Sequence, residues 1–267
     1  TAGDGGSVVV WSDERTVFLG TVSARGAGAG GNGGSAEVSG KATLSFHGTA
    51  DLTAATGRTG TLLLDPYNLT ISTGADGNVS GLSASGDDSV LGVSTLTAAL
   101  ASANVTVSTG AGGSQAGTIT VAAPVAWSAD TVLTLAAAGD IAVNAPVTAS
   151  GGAAGLVLQY GTGKGYSVGG TGSVTLGGAN ATLRIGEAGS LQSYTLIHDM
   201  AALDAIETTG LTGRYALAQS LDAAGTTYTS APVSGTFTGT FAGLGNTVSN
   251  LTVNAPDTDY IGLFGTL

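Results

Sequence analysis

The side chains best suited to chemistry fall in a few short stretches. Gly86-Asp87-Asp88 sets two carboxylates side by side, with Asp76 and Asn78 shortly upstream. Paired carboxylates suit acid–base cleavage of a sugar chain, in which acid and base stand about 6.5 to 9.5 Å apart for inversion and a cationic subsite holds an acidic sugar. His47, in Phe46-His47-Gly48, and Arg184, in Arg184-Ile185, are the histidine and arginine such a site would draw on. The same oxygen-bearing residues, Asp76, Asn78, Asp87 and Asp88, offer a second chemistry, a calcium loop, because hard cations take several oxygen ligands from one segment. Their spacing matches no EF-hand, and the Gly-rich run before Asn32 lacks the aspartates of calcium-binding nonapeptide repeats. His47 and His198 each stand alone in sequence, which favours a core or surface role over metal ligation. With no cysteine in the chain, disulfides, thiolate catalysis and Cys-based zinc sites are excluded.

Two further sets of residues concern surfaces. Asn68, Asn78, Asn104, Asn180 and Asn250 each begin an Asn-x-Ser/Thr triplet, the acceptor pattern for glycosylation. Trp11, Trp127, Tyr160, Tyr166 and Tyr215 would stack on sugars if exposed, while core packing is their commoner use. Asn246 and Asn250 are spaced to join an internal asparagine ladder between stacked strands. The formal charge is −11, from 18 acidic and 7 basic residues, and the basic ones never cluster. Nucleic acid and anionic membrane are poor partners for such a surface, since both are held largely through grouped Lys and Arg. No continuous apolar stretch reaches membrane-spanning length, the most apolar window, 122–143, carrying Asp130 and Asp140.

The elements that must position these residues announce themselves by a beat. Short β-branched and leucine runs, such as Ser7-Val8-Val9-Val10-Trp11, Thr61-Leu62-Leu63-Leu64 and Thr131-Val132-Leu133-Thr134-Leu135, recur along the whole chain between Gly, Ser, Thr, Asn and Asp. Punctuated in this way they predict an all-β chain. Two or three such strands make a unit of roughly 20 to 25 residues, the period of a solenoid whose coils stack strand on strand. The 46 glycines mark turns, and the run from Gly26 to Gly34 reads as a flexible corner loop. The clearest alternation predicts inward-facing ladders at Val132, Leu133 and Leu135, then Ile141, Val143 and Val147, then Leu156 and Leu158. Two helical insertions are expected. One spans 94–104, with Leu96, Ala99, Leu100 and Ala103 on one face; the other spans 199–209, capped by Asp199 and stopped by Gly210.

Four phrases in order then become familiar. Val8-Val9-Val10-Trp11-Ser12-Asp13, Gly20-Thr21-Val22-Ser23-Ala24-Arg25-Gly26, Gly33-Gly34-Ser35-Ala36-Glu37-Val38-Ser39-Gly40-Lys41 and Gly60-Thr61-Leu62-Leu63-Leu64-Asp65-Pro66 resemble the passenger domains of filamentous-haemagglutinin-like exoproteins of Gram-negative two-partner secretion. The resemblance is dense over 1–72 and looser to about 190. Near the other end, Gly213-Arg214-Tyr215-Ala216-Leu217, the stretch from Gly239 to Val253 and Gly262-Leu263-Phe264-Gly265 resemble GLUG-type repeats of bacterial surface proteins. The resemblance implies a right-handed parallel β-helix, exported through an outer-membrane secretion partner and used in adhesion at the cell surface or outside it.

The organisation expected is one continuous solenoid: haemagglutinin-type coils over 1–72, their continuation over 73–190 with a loop and short helix at its start, and a helix plus GLUG-type coils over 191–267. The chain begins inside a strand pattern and is read as a piece of something longer. The function expected is that of a non-enzymatic adhesin segment without a cofactor, a rigid stalk that contacts a host-cell or surface glycan or protein receptor. Unpaired coil edges at its ends are expected to favour end-to-end self-association. Two alternatives stand beside this reading. One is a β-helical polysaccharide hydrolase or lyase like the pectin-degrading enzymes, although His47 precedes the Asp pair, no Asn-Thr-Asp occurs and Arg184-Ile185 lacks a following Lys. The other is a purely structural filament or toxin-delivery stalk.

Overall fold

The computed structural model describes residues 3–13, 15–40, 43–46, 48–65, 68–73, 89–109, 116–257 and 261–267. The chain is all-β and its sheets are mostly parallel. Its helices are short: α1 (Val93–Leu100), α2 (Met200–Asp204) and α3 (Ile206–Thr209). One sheet carries ten strands, in the order Ser7–Ser12, Ser35–Gly40, Thr61–Asp65, Asn104–Ser108, Val132–Ala136, Gly155–Tyr160, Thr182–Glu187, Gln192–Ile197, Arg214–Leu217 and Thr240–Ala242. The first seven pair in parallel. Between one and the next, the chain makes strands that belong to other sheets, so every third strand returns to this one. A return takes 28 residues from Ser7 to Ser35 and 23 from Val132 to Gly155.

Register turns the alternation into a core. Ala36, Leu62, Val105, Leu133, Leu156 and Leu183 form one inward row across successive strands, and Val38, Val107, Leu135, Leu158 and Ile185 lie in the next; all are buried. Each buried Val, Leu or Ile in these rows contributes about 1.5 to 3 kcal/mol relative to exposure. Val132 departs from the expected ladder. It is half-buried on the opposite face, paired with Gly155, because of two adjacent apolar residues only one can point inward.

A five-stranded sheet (Tyr166–Val168, Ile141–Val143, Ile119–Val121, Leu69–Ser72, Ser89–Gly92) and a three-stranded sheet (Val125–Trp127, Val147–Ala149, Val174–Leu176) supply the other inward rows. They bury Leu69, Ile71, Ile119, Val121, Ile141 and Val143 in one, and Val125, Val147, Ala149, Val174 and Leu176 in the other. α1 packs between Thr49–Asp51 and Val125–Trp127. Its buried face is Leu96, Ala99 and Leu100, and its last turn is tied on by Thr131 Oγ1 donating to Leu100 O at 2.6 Å. The helix ends before Asn104 because that residue opens the strand paired with Thr61.

The Gly-rich corner is built by close approach. Gly5 N donates to Asn32 O at 2.7 Å and Gly33 N to Arg58 O at 2.8 Å, and a Cβ on Gly33 would stand 1.9 Å from Leu52 O. Glycine is required there so that one backbone can lie against the next, which corrects the flexible-loop expectation.

The parallel succession stops near 190. Thr182–Glu187 and Gln192–Ile197 pair antiparallel, and the later strands of the sheet run parallel to the second of these. The expected uninterrupted run therefore changes direction at 188–191, where Gly189 has φ +86°. Beyond it lies a second core of Ile197, Leu203, Ile206, Tyr215, Leu217, Leu221, Val233 and Phe237. Asp199 caps α2 as expected, its carboxylate accepting from Ala202 N at 2.7 Å. This C-terminal part also closes the edge of the three-stranded sheet: Val174 N donates to Leu244 O at 2.9 Å, Leu176 N to Ala218 O at 2.8 Å, and Asn246 Nδ2 to Val174 O at 2.7 Å.

Candidate functional site

Asp76, Asn78, Asp87, Asp88 and His47 lie outside the described residues. Arg184 is exposed on the outward row of its strand beside Val157, and His198 is half-buried, its carbonyl accepting from Gln219 Nε2 at 2.9 Å. Among the described residues, no group of three His, Cys, Asp or Glu side chains comes together that could hold a metal ion.

Two of the triplet asparagines, Asn68 and Asn104, turn out to be structural in a way their triplets did not signal. Asn68 Oδ1 accepts from Thr118 N at 2.8 Å, and Asn104 Oδ1 from Val132 N at 2.8 Å while Asn104 Nδ2 donates to Thr59 O at 2.9 Å. Asp4, Asn32, Asp130 and Asp140 likewise accept main-chain N–H groups of Asn32, Arg58, Ala153 and Gly165. A short side-chain oxygen at a corner thus satisfies a donor that the strand ladder leaves unpaired. The signal was present as Asn or Asp recurring beside each strand run. Asn246 and Asn250 form no ladder with each other: Asn246 bonds to Val174 O, and Asn250, at φ +55°, donates to Asp222 Oδ1 at 2.8 Å. Asn180 and Asn250 are exposed, and Asn68 and Asn104 are half-buried.

Of the five aromatic candidates, the structure exposes Trp11, at 55 %. Trp127 is buried with Nε1 donating to Thr131 O at 3.1 Å, and Tyr215 is buried with its hydroxyl donating to Gly210 O at 2.7 Å. Tyr160 and Tyr166 are half-buried and stack on each other with centroids 6.4 Å apart. On the same outward face as Trp11, a shallow depression of about 350 Å³ is lined by Ser7, Val9, Ser35, Glu37, Leu63 and Thr106. Two of its hydroxyls are linked, Ser35 Oγ to Ser7 Oγ at 3.0 Å, and Glu37 accepts from Ser39 Oγ at 2.7 Å. Aliphatic floor, hydroxyl rim and a carboxylate acceptor form a surface that can bind an uncharged polyhydroxyl chain.

Two carboxylates carry opposite pH signatures. Hydrogen bonds from Thr53, opposed in part by burial and helped by Arg25 at 2.9 Å, hold Asp51 below the usual carboxylate range. Burial pushes Asp204 up, against the hydrogen bond from Tyr228 OH to its Oδ2 at 3.1 Å and with the charge of Glu207 adding to the rise; its Oδ1 is buried without a partner. The native state therefore holds the Asp204 proton more tightly than the unfolded chain. Its contribution is fully present below the unfolded pKa and is lost as pH rises through the folded one. For Asp51 the contribution is present above the unfolded pKa and is lost as pH falls through the lowered folded value. Thermal melts across pH should show that Asp204→Asn, which keeps an acceptor for Tyr228, flattens the decline with rising pH, whereas Asp51→Asn flattens the decline on acidification. Parallel profiles for both variants and the parent would contradict these assignments.

Compared with known proteins, the sequence matches no family model, no curated protein and no solved structure. No helix of the described residues is long and apolar enough to cross a membrane.

Proposed function

We propose that this chain is a right-handed parallel β-helical segment of a secreted bacterial surface adhesin, in which the stacked strands form a rigid stalk and the outward face of the ten-stranded sheet makes the contact. The observation that carries the reading is the return of every third strand to one sheet, parallel and in register, with the same inward rows filled by aliphatic side chains. Such a design spends its sequence on a continuous core and leaves the outward positions free to vary. The resemblance of the four phrases to haemagglutinin-type passengers supports a secreted, cell-surface segment exported with an outer-membrane partner. Trp11 and the adjoining depression are the contact surface, and the receptor is a host-cell or surface glycan. No catalysis is assigned to the chain.

The test is binding of the labelled chain to epithelial cells and to an array of uncharged oligosaccharides, alongside incubation with polyuronides. Binding should fall several-fold in Trp11→Ala and remain in the Asp87→Ala/Asp88→Ala double variant, with no reducing ends or unsaturated products released. Turnover of polyuronide that disappears in the double variant would replace the adhesin reading with the hydrolase or lyase one. Binding unchanged by Trp11→Ala would remove the assigned contact surface.

A further inference from the structure

One carboxylate in the outward depression is fixed through one oxygen and open at the other. Register lines up Val9, Glu37, Leu63 and Thr106 as one outward row across four neighbouring strands, with Ser7, Ser35 and Thr61 in the row beside it. Glu37 therefore stands between two aliphatic residues, each on the next strand and about 4.8 Å away along the row. It is half-buried, and its Oε1 accepts at 2.7 Å from the hydroxyl of Ser39, which is itself 2 % exposed. Among the described residues Oε2 takes no hydrogen bond, and no Lys or Arg pairs with the carboxylate.

What such a group takes follows from its chemistry. A carboxylate is an acceptor alone, with about four lone-pair positions, so one bond from Ser39 leaves room for hydroxyl donors on neighbouring carbons of one sugar ring. Those bonds are charge-assisted and stronger than neutral ones. Because the buried serine already fixes the side chain, little of its freedom is lost on binding. Val9 and Leu63 offer aliphatic contact to the C–H faces of the sugar on either side, and Ser7, Ser35 and Thr61 supply hydroxyls that donate or accept. A ligand with its own negative charge meets the opposite case. The described residues that line the depression include no Lys, Arg or His to offset it, and the whole chain carries −11. Like charges set together at a contact are the repulsive element that rejects a wrong partner.

We propose that Glu37 is the specificity-determining residue of this contact: it accepts neighbouring hydroxyls of an uncharged sugar ring and turns away sugars that carry a carboxylate, sulfate or phosphate. The assignment rests on the reading of this outward face as the contact surface, and adds to it which sugars are admitted and by which side chain. Selectivity comes from one charge held in place by Ser39, and not from the shape of a closed pocket, since the depression is shallow.

The test measures binding of the whole protein chain to neutral gluco-, galacto- and manno-oligosaccharides, each beside the same oligosaccharide oxidised at its primary hydroxyls to uronates. The parent should bind at least one neutral member roughly tenfold or more tighter than its oxidised counterpart. Glu37→Gln keeps the side chain's size and an acceptor for Ser39 but removes the charge. It should weaken the neutral sugar several-fold and bring the oxidised one to within about threefold of it. Asp257→Asn makes the same change of net charge at an exposed position in the C-terminal part and should leave the preference as it is. A merely structural role for Glu37 would lower both affinities together and keep their ratio. Equal binding of the two sugars by the parent, a preference that survives Glu37→Gln, or one lost equally in Asp257→Asn overturns the assignment, while loss of binding in Trp11→Ala in the same series keeps the contact surface in place. A parent that binds no member of the panel overturns both.

Discussion

Leu133→Asp should abolish cooperative folding of the parallel stack. Leu133 is fully buried in an aliphatic row between Val105 and Leu156, and the residues flanking it in the strand, Val132 and Thr134, face the other way. Truncating a buried leucine to alanine costs about 2 to 5 kcal/mol through lost transfer energy and the cavity left behind. A carboxylate there also loses its hydration with no donor in reach, a further penalty of several kcal/mol even if it takes up a proton. The sum is comparable with the whole stability of an ordinary domain, about 5 to 15 kcal/mol. Thr134→Asp, one residue away on the outward face, should change stability by no more than about 0.5 kcal/mol. Circular dichroism melts of the two variants decide the matter: similar transitions would mean that the inward row has been assigned to the wrong parity.

Gly245→Val should detach the C-terminal part from the edge it closes. Gly245 has φ +78°, and a Cβ there would stand 2.4 Å from Gly172 O and 2.9 Å from Val168 Cγ1. A β-branched residue held in the left-handed region costs about 1 to 2 kcal/mol before any clash is counted, and the carbonyl it meets is backbone that cannot rotate away. Its neighbours are the residues that bind Val174 from both sides: Leu244 through its carbonyl and Asn246 through its side-chain amide. Displacing the turn frees both main-chain groups of Val174, while the Leu176 N–H is held by Ala218 O. Hydrogen exchange at the Val174 amide should accelerate by at least an order of magnitude, at about 1.4 kcal/mol per tenfold, and by more than at Leu176. Unchanged exchange at Val174 would mean that the contact adds nothing to closing that edge.

Local pattern carried much of this architecture. Alternation fixed the parity of Leu133, Leu135, Ile141, Val143, Val147, Leu156 and Leu158, all of which are buried, since side chains on a strand change faces at every residue whatever the strand pairs with. The helices were legible for the same reason. Leu96, Ala99 and Leu100 recur at helical spacing and face the core, and Asp199 offers an oxygen to the open N–H groups of the turn it begins. Where two apolar residues adjoin, as at Val132 and Leu133, the phase is ambiguous and only the partner strand resolves it.

Tertiary structure alone decided the rest, because it depends on which segments meet. That α1 occupies a strand's place between Thr49–Asp51 and Val125–Trp127 follows from the shape of the space those strands leave, which no window of sequence contains. Exposure of Trp11 and burial of Trp127 come from what lies across from each: the open outer face of an edge strand in one case, the core beneath Thr131 in the other. Asn68 and Asn104 read equally well as surface acceptors until the N–H groups of Thr118 and Val132 are brought to them from 50 and 28 residues away. The reversal at 188–191 and the docking of Leu244 and Asn246 on Val174 are set by long-range hydrogen bonds and steric fit. The residues name the strands and their inward faces; only the packed chain determines the order in which they stack and the point at which they turn back.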